Sequence, residues 1–455
     1  MRLLLFLLLA CVASLPALAQ ASDTTDRIDK VFSSWNNATP GGSVIVARGN
    51  QVIYHKAYGL ADLERNVPNT TETIFEAGSV SKQFTAYSIL LLEQEGKLKL
   101  TDDVRKYIPE LPVYESPITI QMLLNHTSGL KDWGSVAAIG GWQRGTKVYT
   151  LKLALDIIAH QKSTNFKPGN EYSYSNSNYS LLVAIVERLS KQSLEDFTSE
   201  RIFKPFGMNN TGWRSNFREI IPNRAQAYSR NNNVYELQMP FEHIYGHGGL
   251  LTTTADLLKW NRQLENHDAI YSKRIEKGKL NDGSSISYAA GIQHGVVNGV
   301  AEIAHSGATA GYRAWLAYYP SKKLTIALLS NDGTAAPVAL GHKVAYVFLG
   351  GEPSASTAPN KPAPGETVAY ENLGAFTGEY YSDEAQCTIK ITRKDNELIW
   401  IDTALEEEAM KSSAVKDSFE LGGAKVDFKK DKKGTVTGFN ISVSRANNVP
   451  FKKIR

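Results

Sequence analysis

The sequence predicts an α/β (α+β) protein. It has an antiparallel sheet assembled from the two ends of its first 350 residues, a helical lobe between those ends, and a small antiparallel β-barrel behind. Three observations carry this. Strand-like runs lie before residue 60 and again after residue 300, with helical periodicity between them. A proline-rich stretch then interrupts the pattern, and beyond it the periodicity becomes short and alternating.

Taken in order, the chain opens as a targeting signal. Arg2 gives a positive end, Leu3 to Leu15 is nearly all apolar, and Ala17-Leu-Ala19 offers small residues for cleavage. The apolar run is too short to span a bilayer, which needs roughly 20 residues. Residues 1–19 are therefore expected to be a signal peptide, with a mature periplasmic or secreted chain from about Gln20. Leu8-Leu-Ala-Cys11 loosely resembles a lipobox, but it sits midway through the apolar run, so lipid attachment at Cys11 is the weaker reading.

Gly41-Gly-Ser-Val-Ile-Val-Ala47 and Val52-Ile-Tyr-His-Lys-Ala-Tyr58 predict a hairpin around Gly49-Asn50. A largely helical body follows to about Leu264, with periodic segments at Leu151–His160, Ser180–Ser190 and Thr254–Leu264. Strands return at Ala301–His305, Tyr312–Tyr319 and Leu324–Asn331, and a helix near Ala336–Phe348 closes the unit at residue 350. Residues 351–366 carry four prolines and almost no apolar bulk, the composition of a linker. From 367 to 455, runs such as Thr388–Thr392, Leu398–Ile401, Val426–Phe428 and Phe439–Val443 read as a β-meander or barrel.

Charge and cysteine content exclude several classes. With 50 basic and 46 acidic side chains the net charge is +4, too small for a nucleic-acid or polybasic membrane role. Once the signal is removed Cys387 is the only cysteine, so a disulfide framework and a cysteine-based metal site are both excluded. His243 and His247 stand at i, i+4, but the glycines around them argue for a loop and no third ligand is evident. No metal or cofactor is expected.

The most informative stretch is Phe75-Glu-Ala-Gly-Ser79-Val-Ser-Lys82. Gly78 breaks the preceding segment, and Phe84, Tyr87, Leu91 and Leu92 then recur at helical spacing. Three residues is nearly one turn, so Ser79 and Lys82 project from one face. A hydroxyl is a poor nucleophile until a base takes its proton; an amine one turn away can do so, beside the free N–H groups of a helix start. Ser128/Lys131 and Ser413/Lys416 repeat the spacing, but neither opens an apolar helix. His126 is expected to hold its loop, and Trp142, Trp213, Trp260 and Trp315 to be core.

Acyl transfer also needs a second proton carrier and donors for the oxyanion. Tyr174-Ser-Asn176 and His305-Ser-Gly307-Ala308 offer these, with Gly307 leaving room for a substrate backbone at a strand edge. With these residues in order the chain resembles the serine β-lactamase/penicillin-binding protein family. The likeness is to the class C branch, with its D-Ala-D-Ala carboxypeptidase, D-aminopeptidase and esterase relatives. Leu123-Leu-Asn-His-Thr-Ser-Gly-Leu130, Pro168-Gly169, Phe206-Gly-Met208 and Gly248-Gly-Leu250 match as flanks.

The resemblance implies a β-lactamase/transpeptidase-like domain over residues 20–350 and, by analogy with relatives, a lipocalin-like barrel behind it. It implies that Ser79 is the nucleophile and that Lys82 and Tyr174 share the proton work, without deciding which is the acylation base. Asn176 would orient Lys82 and bind the substrate amide. His305 would bind a substrate carboxylate or return a proton. The N–H groups of Ser79 and Ala308 would hold the oxyanion. The implied partner is a small peptide, amide, ester or β-lactam substrate. Histidine at 305, where many relatives carry lysine, favours a peptidase or esterase over an efficient β-lactamase. The alternatives are a β-lactamase, a penicillin-recognising binding protein without turnover, and a barrel that is itself the main ligand binder.

Overall fold

The computed structural model describes residues 23–142, 147–265, 269–351, 370 and 372–455. The expected signal peptide, Cys11 and residues 352–366 of the expected linker lie outside the described residues. No described helix is long and apolar enough to cross a membrane.

The first unit is built on an antiparallel sheet of six strands. Its strands are β1 (Gly42–Arg48), β2 (Gln51–Tyr58), β3 (Gln293–Val297), β4 (Val300–Thr309), β5 (Tyr312–Tyr319) and β6 (Leu324–Ser330), in the spatial order β3-β4-β5-β6-β1-β2. The two chain ends meet where β1 pairs with β6, from Gly42 opposite Ser330 to Arg48 opposite Leu324. This is the join that the sequence pattern predicts. β1 is apolar along its length because both faces of the sheet are covered. Val44 and Val46 face a layer containing Ile28, Phe32 and Val344, whereas Ile45 and Ala47 face the helical lobe.

Three helices of the lobe matter for the site: α1 (Lys82–Gln94), α2 (Trp133–Ile139) and α3 (Asn176–Ser190). α1 is buried over most of its length, with Phe84 and Tyr87 against Trp260, which makes it the central post of the lobe. A further helix, α4 (Pro337–Leu349), covers the outer face of the sheet.

Beyond residue 372 the chain forms a closed antiparallel barrel of eight strands. They are β7 (Gly378–Ser382), β8 (Cys387–Lys394), β9 (Glu397–Ile401), β10 (Glu407–Ser412), β11 (Ser418–Leu421), β12 (Ala424–Lys430), β13 (Val436–Val443) and β14 (Ala446–Lys453), with β7 pairing β14 to close the ring. Phe419, Phe428, Phe439 and Phe451 fill its interior, and closure leaves no sheet edge.

The barrel is bound tightly to the first unit. Val136 and Ile139 of α2 belong to its apolar cluster. Lys131 and Glu384 form a fully buried ion pair at 2.6 Å. The backbone N–H of Asp132 donates to the Arg445 carbonyl at 3.0 Å. Trp213, Trp260 and Trp315 are core as expected, but Trp142 is 38% exposed, with the Lys147 ammonium 3.4 Å above its ring.

Candidate active site

Ser79 sits on a 3-10 turn, Gly78–Ser81, that feeds directly into α1. The turn is pinned from below: the Ala77 N–H donates to the Leu250 carbonyl at 2.8 Å, and the Leu250 N–H donates to Ser81 Oγ at 3.1 Å. Gly78 has φ +51, and a Cβ there would stand 2.5 Å from the Ala308 nitrogen. Gly307 faces the same turn, since a Cβ on it would come within 2.0 Å of the Ala77 carbonyl oxygen and 3.1 Å of the Ser79 nitrogen. The two glycines thus let β4 press against the serine turn. The room that the sequence assigns to a substrate backbone at Gly307 is filled by the protein's own backbone. β3 stops pairing at Ala304, so His305–Thr309 has an open edge on that side.

Lys82 is wholly buried. Its Nζ lies 3.2 Å from Ser79 Oγ, and donates to Asn176 Oδ1 at 3.0 Å and to the His247 carbonyl at 2.6 Å. A neutral amine has two N–H groups and one lone pair. With the two carbonyl-type oxygens taking the N–H groups, the lone pair faces the Ser79 proton; the ammonium form donates to these three oxygens. Both protonation states are accommodated without side-chain movement.

Tyr174 and Asn176 are held by a loop built on two residues. His126, at φ +59, accepts the Ser173 N–H on its carbonyl and the Ser175 N–H on Nδ1. It holds the loop, as expected. Asp132 Oδ2 accepts the Asn176 N–H at 2.7 Å, while its Oδ1 accepts the Ser135 N–H at 3.0 Å. One carboxylate therefore serves the N-termini of both α2 and α3. The Tyr174 hydroxyl is buried near Ser79 but makes no contact of hydrogen-bond geometry. Burial raises its pKa, opposed more weakly by Ser79 and by the positive charge of Arg445. It is a neutral phenol.

His305 is buried, and its two ring nitrogens are both committed. Nδ1 donates to the Ser306 carbonyl at 2.6 Å, so Nε2 is the acceptor for the Tyr288 hydroxyl at 2.9 Å. Burial, then the Lys82 charge, push its pKa down to about 4. A neutral ring with both nitrogens occupied gives a substrate carboxylate neither charge nor a free donor.

Ser79, Tyr174, Asn176, His305, Gly307 and Ala308 line one cavity of about 620 Å³, with Lys82 beneath it. The three sequence motifs converge. The other Ser-x-x-Lys pairs do not compete: Ser128 donates to Asn178 Oδ1, and Lys131 is paired with Glu384. His243 and His247 serve separate ends, His243 donating to the Ser215 carbonyl. Sequence reasoning missed Asp132, the His247 carbonyl, Tyr288 and Arg445. Asp132 stands just after the Ser128-Gly129 flank, where it was open to notice. Arg445 lies in the Ser444-Arg445 turn between β13 and β14, and no local signal marks it.

The fold and this site define a serine hydrolase of the acyl-transfer kind. A sequence profile of the Beta-lactamase family matches residues 20–347, and the chain belongs to that family. Penicillin-binding protein 4* of Bacillus subtilis (strain 168) is 30% identical over 415 residues, covering 85% of this chain and 89% of the relative. A D-aminopeptidase of Cereibacter sphaeroides (strain KD131) is 28% identical over 341 residues, covering 70% of this chain but only 64% of the relative. An octameric penicillin-binding protein homologue from Pyrococcus abyssi superposes with a TM-score of 0.62 at 23% identity, covering 95% of this chain and 99% of the other. The D-amino acid amidase of Ochrobactrum anthropi SV3 superposes with a TM-score of 0.60 at 19% identity, covering 72% and 98%. At these identities the two structures speak to the fold alone.

Proposed function

We propose that this chain hydrolyses D-amino-acid peptides, amides or esters through an acyl-enzyme on Ser79. The observation that carries the reading is the buried Lys82 amine, held between Ser79 Oγ, Asn176 Oδ1 and the His247 carbonyl. Ser79 Oγ attacks the substrate carbonyl carbon as its proton passes to the Lys82 lone pair. The carbonyl oxygen becomes an oxyanion facing the N–H groups of Ser79 and Ala308, each worth roughly 3 kcal/mol by analogy with other oxyanion donors. Asn176 orients Lys82 and meets the substrate amide.

Tyr174 then gives its hydroxyl proton to the leaving amine or alkoxide and is reprotonated by Lys82. Its raised pKa supports a donor rather than a standing phenolate, and so supports Lys82 as the acylation base. Water attacks the ester by the reverse route and frees Ser79. The D-amino-acid preference is supported by relatives named D-aminopeptidase. The N-terminal apolar run supports action in the periplasm or outside the cell.

The test is a turnover panel of D-Ala-D-Ala peptides, D-aminoacyl amides, short p-nitrophenyl esters and a chromogenic cephalosporin. The D-amino-acid substrates should turn over many times per enzyme, and Ser79→Ala should abolish this. The cephalosporin is expected to be a poor substrate. Labelling that stops at one equivalent with every substrate would instead make the chain a binding protein.

A further inference from the structure

The wall of the Ser79 cavity has a one-sided charge. Among the described residues no aspartate or glutamate lines it, whereas two arginines, Arg313 and Arg445, do. Arg313 is occupied: its guanidinium donates to the carbonyls of Ala310, Tyr312 and Gly333. His305 is neutral with both nitrogens bound.

Arg445 is different, and it comes from the barrel. Among the described residues its guanidinium makes no hydrogen bond. The nearest carboxylate oxygen, Asp132 Oδ2, is 4.0 Å away and already accepts the Asn176 N–H. Its backbone is fixed nonetheless. The Asp132 N–H and Asn165 Nδ2 both donate to its carbonyl, at 3.0 and 3.1 Å, and the Asn447 N–H donates to Asn165 Oδ1 at 2.8 Å. The hydrolase domain thus grips the barrel hairpin at the residue that faces the cavity.

Stacking on Tyr174 is the simpler account of this side chain. The guanidinium carbon lies 5.6 Å from the ring centre, near the outer limit of about 6 Å for such an interaction. Stacking uses the face of the guanidinium and leaves its N–H fork without an acceptor. A carboxylate fits that fork with two parallel hydrogen bonds.

We propose that Arg445 is a substrate-binding residue of the Ser79 site, supplied by the barrel, and that it holds a carboxylate of the substrate. The site then selects acidic peptides over those whose nearest charge is a free ammonium, which would meet arginine and no carboxylate. The inference rests on Ser79 being the acylated residue. The carboxylate is either the C-terminal one or that of an acidic side chain.

The test uses the full chain, as wild type, Arg445→Ala, Arg445→Lys and Arg445→Glu. Four substrates serve: an N-acyl-D-Ala-D-Ala peptide with a free C-terminus, its C-terminal amide, the same amide carrying a D-Glu side chain, and D-alanine p-nitroanilide with its free ammonium. The readout is the ratio of kcat/KM values between substrates within each variant, from which any inactive fraction cancels. Wild type should prefer one carboxylate substrate to the neutral amide by about tenfold or more, the scale of one charge-assisted hydrogen bond. Arg445→Ala should lose that preference through KM, Arg445→Lys should keep part of it, and Arg445→Glu should shift it toward the ammonium substrate. Whether the free C-terminus or the D-Glu side chain carries the preference identifies the source.

An unchanged ratio in Arg445→Ala overturns the proposal. So does an equal loss for all four substrates with a displaced pH profile, which would mean that Arg445 acts only by tuning Tyr174. Failure of the Ser79 reading is visible separately, as turnover that survives Ser79→Ala. Should wild type turn over none of the four, calorimetric binding of the acid and amide peptides to Ser79→Ala, with and without Arg445→Ala, still decides. Equal affinities overturn the assignment.

Discussion

Lys82 Nζ donates to Asn176 Oδ1 at 3.0 Å, although the two residues are 94 positions apart in the chain. This contact joins the first residue of α1 to the first residue of α3. It brings two helix N-termini, with their positive dipole ends, to one point beside Ser79. A buried lysine there is held by oxygen acceptors and by the rings of Tyr174 and Tyr179, 4.8 and 5.5 Å from its Nζ.

Tyr174→Phe should separate catalysis from stability. The hydroxyl is buried and makes no hydrogen bond, so its removal breaks none. Stability should hold or rise by about 1 kcal/mol in urea denaturation. kcat should fall by roughly 10² while KM changes little, the scale of lost acid–base catalysis. A variant that keeps near-normal turnover would remove Tyr174 from the proton path.

The Lys131–Glu384 pair is the buried link between the two units, with side chains 0% and 3% exposed. Lys131→Met leaves the Glu384 carboxylate buried without its ion-pair partner, with the Lys162 backbone N–H donating to it at 3.1 Å, and should cost about 3–5 kcal/mol. Lys131→Met combined with Glu384→Leu removes both charges and should recover most of that loss. Denaturant midpoints of the three proteins at a shared m-value test this. A single substitution costing under about 1 kcal/mol would mean that water reaches the pair.

Much of the fold was legible because the hydrophobic pattern is strong where burial is two-sided. β1, β2, β5 and β6 and the closing helix fall within a residue or so of their expected limits. β3 was missed: Gln293-His-Gly-Val-Val297 is a half-exposed edge strand with a glycine inside it. β10, Glu407–Ser412, was missed for a similar reason, being mostly charged and exposed on a barrel wall. α3 begins at Asn176 rather than Ser180, because Asp132, 44 positions away, supplies the acceptor at its N-terminus.

At the site, the three motifs were readable because each carries its chemistry in a few adjacent residues. Arg445 and the Lys131–Glu384 pair were not. They exist only when the barrel docks, and nothing in a lone arginine or a lone glutamate announces a partner more than 200 residues away, as Lys131 and Glu384 are at 253. The sequence pattern assigns the barrel no part in the site, whereas the docked barrel brings Arg445 to the cavity wall.

The neutral state of His305 sets a pH dependence. Its folded pKa is depressed to about 4, below the ordinary histidine value near 6.5. The unfolded chain then binds more protons between those values, so stability is fully present above about 6.5 and is lost as pH falls toward 4. The loss from this residue is on the order of 3 kcal/mol. His305→Gln cannot titrate, so its stability curve should be flatter than wild type by that amount over the same range. Parallel curves would mean that the folded ring binds its proton no more weakly than the unfolded chain does.

The most direct test of the account is where an acyl group attaches. A fluorophosphonate or β-lactam probe should label the full-length protein with one equivalent, and peptide mapping should place the adduct on Ser79, with labelling lost in Ser79→Ala. An adduct on Ser128, or labelling that survives Ser79→Ala, would contradict it.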